Sequence, residues 1–211
     1  MASIIVIGGT GYAGSHIVAE AAARGHQVTS ISRVLPEQQV DGVTYRTGDL
    51  NQDIPDLTGA DVVVAALSPR GSNAGVLRGA YATLADAVAK AGARFVAVGG
   101  FSSLRPAEGA PRFAEGDDLP EEFAAEAREM NAILTDLLSS DTAGEWVFVS
   151  PAAEFGAHVP GEKLGHYRTS ADVALFDADG KSAISGADFA AAVIDELETP
   201  TLKQGQLHFA Y

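Results

Sequence analysis

The chain reads as one α/β domain: a doubly wound, mostly parallel sheet with helices on both faces and a small hairpin, helix and strand added at its C-terminal end. Three observations predict this. Runs of continuous apolar residues alternate along the chain with Ala-rich stretches of helical spacing, the pattern of strands buried on both faces and of the helices that cover them. Glycines stand where two of those helices should stop, at Gly25 and Gly92. The 211 residues, 46% of them apolar, are enough for one core and too few for two full-sized domains. Residues 1–211 are therefore read as a single unit.

The elements follow in order. Ser3 to Gly8 is a buried strand, and Tyr12 to Arg24 a helix stopped by Gly25. Gln27 to Ser32 and Val43 to Arg46 are the second and third strands. Asp61 to Leu67 is a fourth strand, with Val62-Val63-Val64 at its centre. Ala74 to Ala91 is a helix ending at Gly92, and Arg94 to Gly99 a fifth strand. Phe101 to Leu119 has no period. Pro120 opens a helix that runs to about Leu138, with Glu121 and Glu122 in its first turn. Glu145 to Ser150 is a sixth strand ended by Pro151, and a second irregular segment runs from Gly156 to Ser170. Asp172–Phe176 and Ser182–Ser185 flank Asp179-Gly180, a hairpin signal. Gly186 to Leu197 is a last helix and Gln206 to Ala210 a last strand. In an open parallel sheet ligands bind at the carboxyl ends of the strands. The irregular segments about 101–119 and 151–170 are thus the expected pocket walls.

Composition narrows the function. There is no cysteine, which excludes disulfides and thiolate chemistry and suits a cytoplasmic protein. No apolar run reaches the roughly 20 residues of a membrane helix, and Met1-Ala2-Ser3 before Ile4 lacks a basic leader. A net charge of −14 opposes nucleic-acid binding. No His, Asp or Glu group has metal-ligand spacing, so no metal is expected. A monomer or homodimer fits the length equally.

The sharpest signal is Gly8-Gly9-Thr10-Gly11-Tyr12-Ala13-Gly14, between a buried strand and a helix. Such a turn lets backbone N–H groups approach a pyrophosphate and sets it at a helix N-terminus. That is the signature of a Rossmann-type dinucleotide site. At the end of the second strand, where an NAD site often carries Asp or Glu, the chain has Ser32-Arg33. A guanidinium there pairs with a 2′-phosphate, which favours NADP(H), with NAD(H) as the other choice. Asp49, followed by Leu50, can accept from the adenine amine or close a turn. Ala66, Leu67, Ser68 and Pro69 end the fourth strand and let the backbone pass close to a cofactor.

The start of the chain with Arg33 resembles the atypical short-chain dehydrogenases and the NmrA-like NAD(P)H-binding proteins. Val98-Gly99-Gly100-Phe101-Ser102-Ser103-Leu104, Ser150-Pro151-Ala152-Ala153, Gly165-His166-Tyr167-Arg168 and Gly180-Lys181-Ser182 resemble the NADH-flavin reductase family, itself similar to biliverdin reductase B. The resemblance covers nearly the whole chain. It implies NAD(P)H binding, hydride transfer to a free flavin or quinone, and cofactor contacts at Gly99, Pro151 and Ala152. The chain departs from the family at Phe101, where a small residue is commoner, and at His166, where Lys is.

None of the five tyrosines has Lys four residues on, so the proton-donor pair of carbonyl-reducing dehydrogenases is missing. Flavin reduction fits this, because the cofactors carry the chemistry and the protein supplies position. Ser102 and Ser103 are candidates for a hydroxyl near the nicotinamide. His158 or His166 could donate a proton, and Phe113, Phe123 and Phe155 could wall a flat ring. Two other readings stand beside the reductase: a non-catalytic NmrA-like redox sensor, and a sugar-nucleotide epimerase or dehydratase, which the missing Tyr/Lys pair disfavours.

Overall fold

In the computed structural model, which describes residues 1–117, 119–140 and 144–211, the chain alternates as expected. The elements are β1 (Ser3–Ile7), α1 (Tyr12–Ala23), β2 (Gln27–Ser32), β3 (Thr44–Thr47), β4 (Val62–Ala65), α2 (Leu77–Ala91), β5 (Arg94–Val98), α3 (Glu121–Ser139), β6 (Trp146–Ser150), β7 (Arg168–Ser170), α4 (Gly186–Glu198) and β8 (Gln204–Ala210). They form an eight-stranded sheet in the order β3-β2-β1-β4-β5-β6-β8-β7. Every pair is parallel except β7 with β8. The strand order reverses between β1 and β4, which opens a crevice at their carboxyl ends.

Alternation along the strands builds two cores. Ile4 and Val6 face Ile17 and Val18 of α1 and Phe189 and Val193 of α4. Ile5 and Ile7 face the other way, toward Leu77, Tyr81 and Leu84 of α2 and Ile133 and Leu134 of α3. This is the single, doubly wound Rossmann-like domain that the sequence predicts.

The details differ in three places. α2 starts at Leu77 rather than Ala74, because Gly75 at φ 77° interrupts a short 3-10 turn over Gly71–Asn73. β7 lies inside the second segment expected to be irregular. The hairpin around Asp179-Gly180 is also corrected. The chain does turn there, with Asp177 N–H on Lys181 O at 2.8 Å. Its two arms do not ladder with each other: Val173 bridges Arg105 and Ala183 bridges Glu154. The segments following β5 and β6 claim the backbone groups that a hairpin would have used. Asp118, in the first irregular segment, lies outside the described residues.

Candidate functional site: two clefts that meet at Leu67-Ser68

β1 ends in the glycine turn. Gly8 sits at φ 84°, where a Cβ would stand 2.5 Å from Ala66 O; only glycine fits that approach. A Cβ on Gly14 would collide with Gly8 O, so α1 and β1 pack at backbone distance. Gly8 N–H bonds Ile31 O (2.8 Å) and Gly11 N–H bonds Gly8 O (3.0 Å). Thr10 N–H reaches Ser32 Oγ (3.1 Å). Gly11 caps α1 without a side chain, and the first turn of α1 holds no acidic residue. Its orphan N–H groups and positive dipole end are therefore open to an anion.

The first cleft lies over this turn. Among the residues expected at the cofactor, it collects Gly8, Thr10, Gly11, Arg33, Asp49, Leu50, Ala66, Leu67 and Ser68. Arg33 is exposed on the rim, and its guanidinium donates to Ser72 Oγ. Asp49 Oδ1 accepts from Asn51 N–H (3.1 Å), so that carboxylate closes a turn. The sequence reading missed Asn73, which also lines this cleft. It is buried, donates to Ser68 O (3.1 Å) and accepts from Asn51 Nδ2 (2.8 Å). Its place depends on the turn before α2, which carries no motif.

The second cavity opens beyond Leu67 and Ser68, which line both. Pro69, Gly99, Ser102 and Ser103 border it, as do Phe101, Phe123, Met130 and Phe155. Phe101 stacks on Phe113 with ring centroids 5.1 Å apart, so the ring that departs from the family pattern does form part of the wall. Ser103 is fully buried. Its carbonyl accepts from the buried Arg112 guanidinium and from Gln206 Nε2 (3.2 Å). Arg112 also donates to Gln206 Oε1 (2.7 Å), and its pKa is lowered chiefly by burial. These donors fix the backbone on which the serines sit.

The strand end between the clefts is held from behind. Tyr81, buried on α2, donates to Ala65 O (3.1 Å) and accepts from Leu67 N–H (3.3 Å). Burial raises its phenol pKa well above the ordinary value, so it stays a neutral donor. Sequence gives only its helical core spacing, which does not reveal the hydroxyl's partners.

Some expected residues stand elsewhere. The Tyr12 phenol points away from the first cleft, donating to Pro160 O and accepting from Gly186 N–H, both at 3.0 Å. Ala13 and Gly14 lie within α1, beneath the turn. Pro151 and Ala152 are buried, and Ala153 is the member of that block on the second cavity. His166 is exposed, with Nδ1 3.3 Å from Leu164 O and its ring 5.9 Å from Tyr211. His158 lines the second cavity instead. Asp188 sets that difference: its carboxylate accepts from Leu164 N–H (2.7 Å) and Gly165 N–H (3.0 Å), drawing the segment before β7 onto α4. Among the described residues, no three His, Asp or Glu side chains are placed to hold a metal, and no helix is long and apolar enough to cross a membrane.

Comparison with known proteins places this arrangement. Residues 8–200 match the family described as NAD(P)H-binding. The uncharacterised Bacillus subtilis protein YwnB is 34% identical over 208 residues, covering 94% of this chain and 93% of that protein. A Streptococcus pneumoniae structure provisionally described as an NADH-flavin reductase is 32% identical with a TM-score of 0.89, over 100% of this chain and 99% of that one. A Bacteroides thetaiotaomicron structure provisionally described as an epimerase is also 32% identical, with a TM-score of 0.85 over 100% and 97% of the two chains.

Proposed function

The chain belongs to the NAD(P)H-binding family, and from that premise we propose that it is an NADPH-preferring reductase that delivers hydride to a flavin- or quinone-like ring. The observation that carries the reading is the meeting of two unlike clefts at Leu67-Ser68, one rich in anion donors and one walled by aromatic rings.

The first cleft fits a dinucleotide. Gly8 and Gly14 exclude any Cβ that would fill the cradle, and the first turn of α1 offers uncapped N–H groups to a pyrophosphate. Arg33, with Ser72 beside it, supplies a fork of donors for a 2′-phosphate. When bound, the dinucleotide supplies a hydride, which with one proton reduces the acceptor and leaves the oxidised nicotinamide.

This chain's residues hold and shield. Tyr81 fixes the peptide at Leu67, and Arg112 with Gln206 fixes the carbonyl of Ser103. The apolar rings keep water from the reacting faces. His158 at the cavity wall is the side chain placed to pass a proton to a ring nitrogen or carbonyl. The epimerase reading is disfavoured by the absence of a Tyr with Lys four residues on.

The test is oxidation of NADPH and of NADH with a flavin or a small quinone. Acceptor-dependent turnover that favours NADPH is expected. Arg33→Ala should weaken NADPH about 30-fold, close to 2 kcal/mol, and leave NADH nearly unchanged. Equal losses for both nucleotides would remove the 2′-phosphate assignment. Tight nucleotide binding without turnover on any acceptor would point to a redox sensor.

A further inference from the structure

We propose that the second cavity selects an uncharged planar acceptor and discriminates against one that carries a phosphate. The inference rests on the reductase reading and extends it to the class of acceptor.

The cavity has Phe101, Phe123, Met130 and Phe155 in its lining, rings and an apolar side chain that a planar ring can pack against. The hydroxyl of Ser102 and the ring of His158 suit the carbonyls and ring nitrogens of an isoalloxazine or quinone, while Ser103 is buried behind them. Charge is the decisive feature. Among the described lining residues the full charges are Arg70 and Glu126. They bind each other, Nε to Oε2, at 2.5 Å. Together they offer a passing anion no net attraction.

The neighbouring cations are also engaged. Arg112 is buried behind Ser103 and donates to Ser103 O and to Gln206. Arg105 is paired with Asp172 at 2.9 Å. The helix next to the cavity does not help an anion either, because α3 opens with Glu121 and Glu122, whose carboxylates offset its positive end. A phosphate at the cavity mouth beside the start of α3 would therefore meet acid, on a chain of net charge −14. The contrast lies across Leu67-Ser68. There the first cleft has Arg33 on its rim and a helix start without acid. Among the described residues lining the two clefts, the cation not paired with a carboxylate, Arg33, and the acid-free helix start are on the nucleotide side.

The experiment offers riboflavin, FMN and 2-methyl-1,4-naphthoquinone to the protein with NADPH. Binding of each flavin to the NADP⁺-loaded protein is followed in parallel by flavin fluorescence. Riboflavin and the quinone should be used well, and FMN about tenfold less efficiently at low salt. The gap should close as ionic strength rises to about 0.5 M, where exposed charges are screened. Glu126→Gln, which frees Arg70, should raise the FMN-to-riboflavin ratio several-fold. Arg70→Ala, which leaves Glu126 unpaired, should lower it.

FMN used and bound as well as riboflavin at low salt, with NADPH oxidised, would overturn the selectivity and leave the reductase reading standing. Riboflavin bound in preference to FMN without NADPH oxidation would uphold the selectivity and refute the reductase reading. The two ideas therefore fail by different results.

Discussion

The N-termini of α1 and α4 are built alike in backbone and used in opposite ways. α4 starts at Ser185, whose Oγ accepts from Asp188 N–H at 3.1 Å. The Asp188 carboxylate then takes Leu164 N–H, Gly165 N–H and, at 2.6 Å, the hydroxyl of Tyr211. Every feature of that start serves the fold. At α2 the task passes to a neighbour: Glu129 of α3 accepts from Gly75 N–H (2.7 Å) and Arg78 N–H (3.2 Å). α1 has Gly11 as its cap, no acid in its first turn and no capping side chain among the described residues. On the proposed reading, a helix end left without an internal acceptor at the switch point of the sheet is the place for the ligand's phosphates.

The sharpest way to break the contrast is to make α1 resemble α4. Gly11→Asp is tolerated by the backbone (φ −73°, ψ 170°) and supplies a preferred capping side chain. It should keep or slightly raise the melting temperature. It should also weaken NADPH about a thousandfold, ~4 kcal/mol, by setting a carboxylate where the pyrophosphate belongs. Retained nucleotide affinity would sink the phosphate-turn assignment.

The converse change is Asp188→Ala, expected to cost about 3 kcal/mol of stability. Burial alone would raise this carboxyl's pKa, but the hydrogen bonds from Tyr211, Leu164, Gly165 and Ser185 outweigh it and hold it below its ordinary value. Its contribution is present above pH 3.8 and is lost as pH falls through the lowered folded value. Chemical denaturation should show the loss, and limited proteolysis should cut near residues 156–166. Nucleotide binding well below the wild-type level in the folded variant would show that the two helix starts are not independent.

Tyr81→Phe removes the phenol behind the strand end shared by the clefts. It should weaken NADPH by about 1 kcal/mol; calorimetry that shows no change would assign the hydroxyl to stability alone.

The smallest effect is that of His208, which is fully buried with Nδ1 3.0 Å from Ser150 O. Burial lowers its pKa from the ordinary 6.5, against the opposing hydrogen bond to Ser150. Below pH 6.5 the unfolded chain takes up a proton that the folded one does not, so stability drops there and is full above it. Denaturation curves at several pH values should show this decline below pH 6.5, absent in His208→Gln.

The two clefts were not equally legible. Strand, glycine turn and helix are consecutive in sequence, so residues 3–24 disclose the phosphate turn on which the first cleft is built, while its other walls come from the ends of β2, β3 and β4. Arg33 joins it because β2 pairs with β1 in parallel, Ile7 beside Ile31. The second cavity draws on segments near 67–70, 99–103, 123–130 and 153–158, which only the completed sheet brings together. His158 and His166 could not be ranked by spacing. The choice is made by a turn that pairs Gly156 with Val159 and by a carboxylate on α4. The turn at Asp179-Gly180 was readable locally, while the partners of its arms, Arg105 and Glu154, were remote.

The phenol of Tyr12 has a thermodynamic consequence. It stands on the first residue of α1 and holds both Pro160 O and Gly186 N–H, and the segment it holds continues from Phe155 and His158 on the second cavity. On the proposed reading, free energy that a nucleotide spends in steadying α1 would be shared with the wall of the neighbouring site. Linkage is reciprocal: a ligand that steadies the wall returns the same coupling to the nucleotide. On the proposed reading, cooperativity between nucleotide and acceptor would be readable as the difference in nucleotide affinity with and without acceptor, and reduced in Tyr12→Phe, which keeps the ring contact with Phe155 and loses the hydroxyl's two bonds.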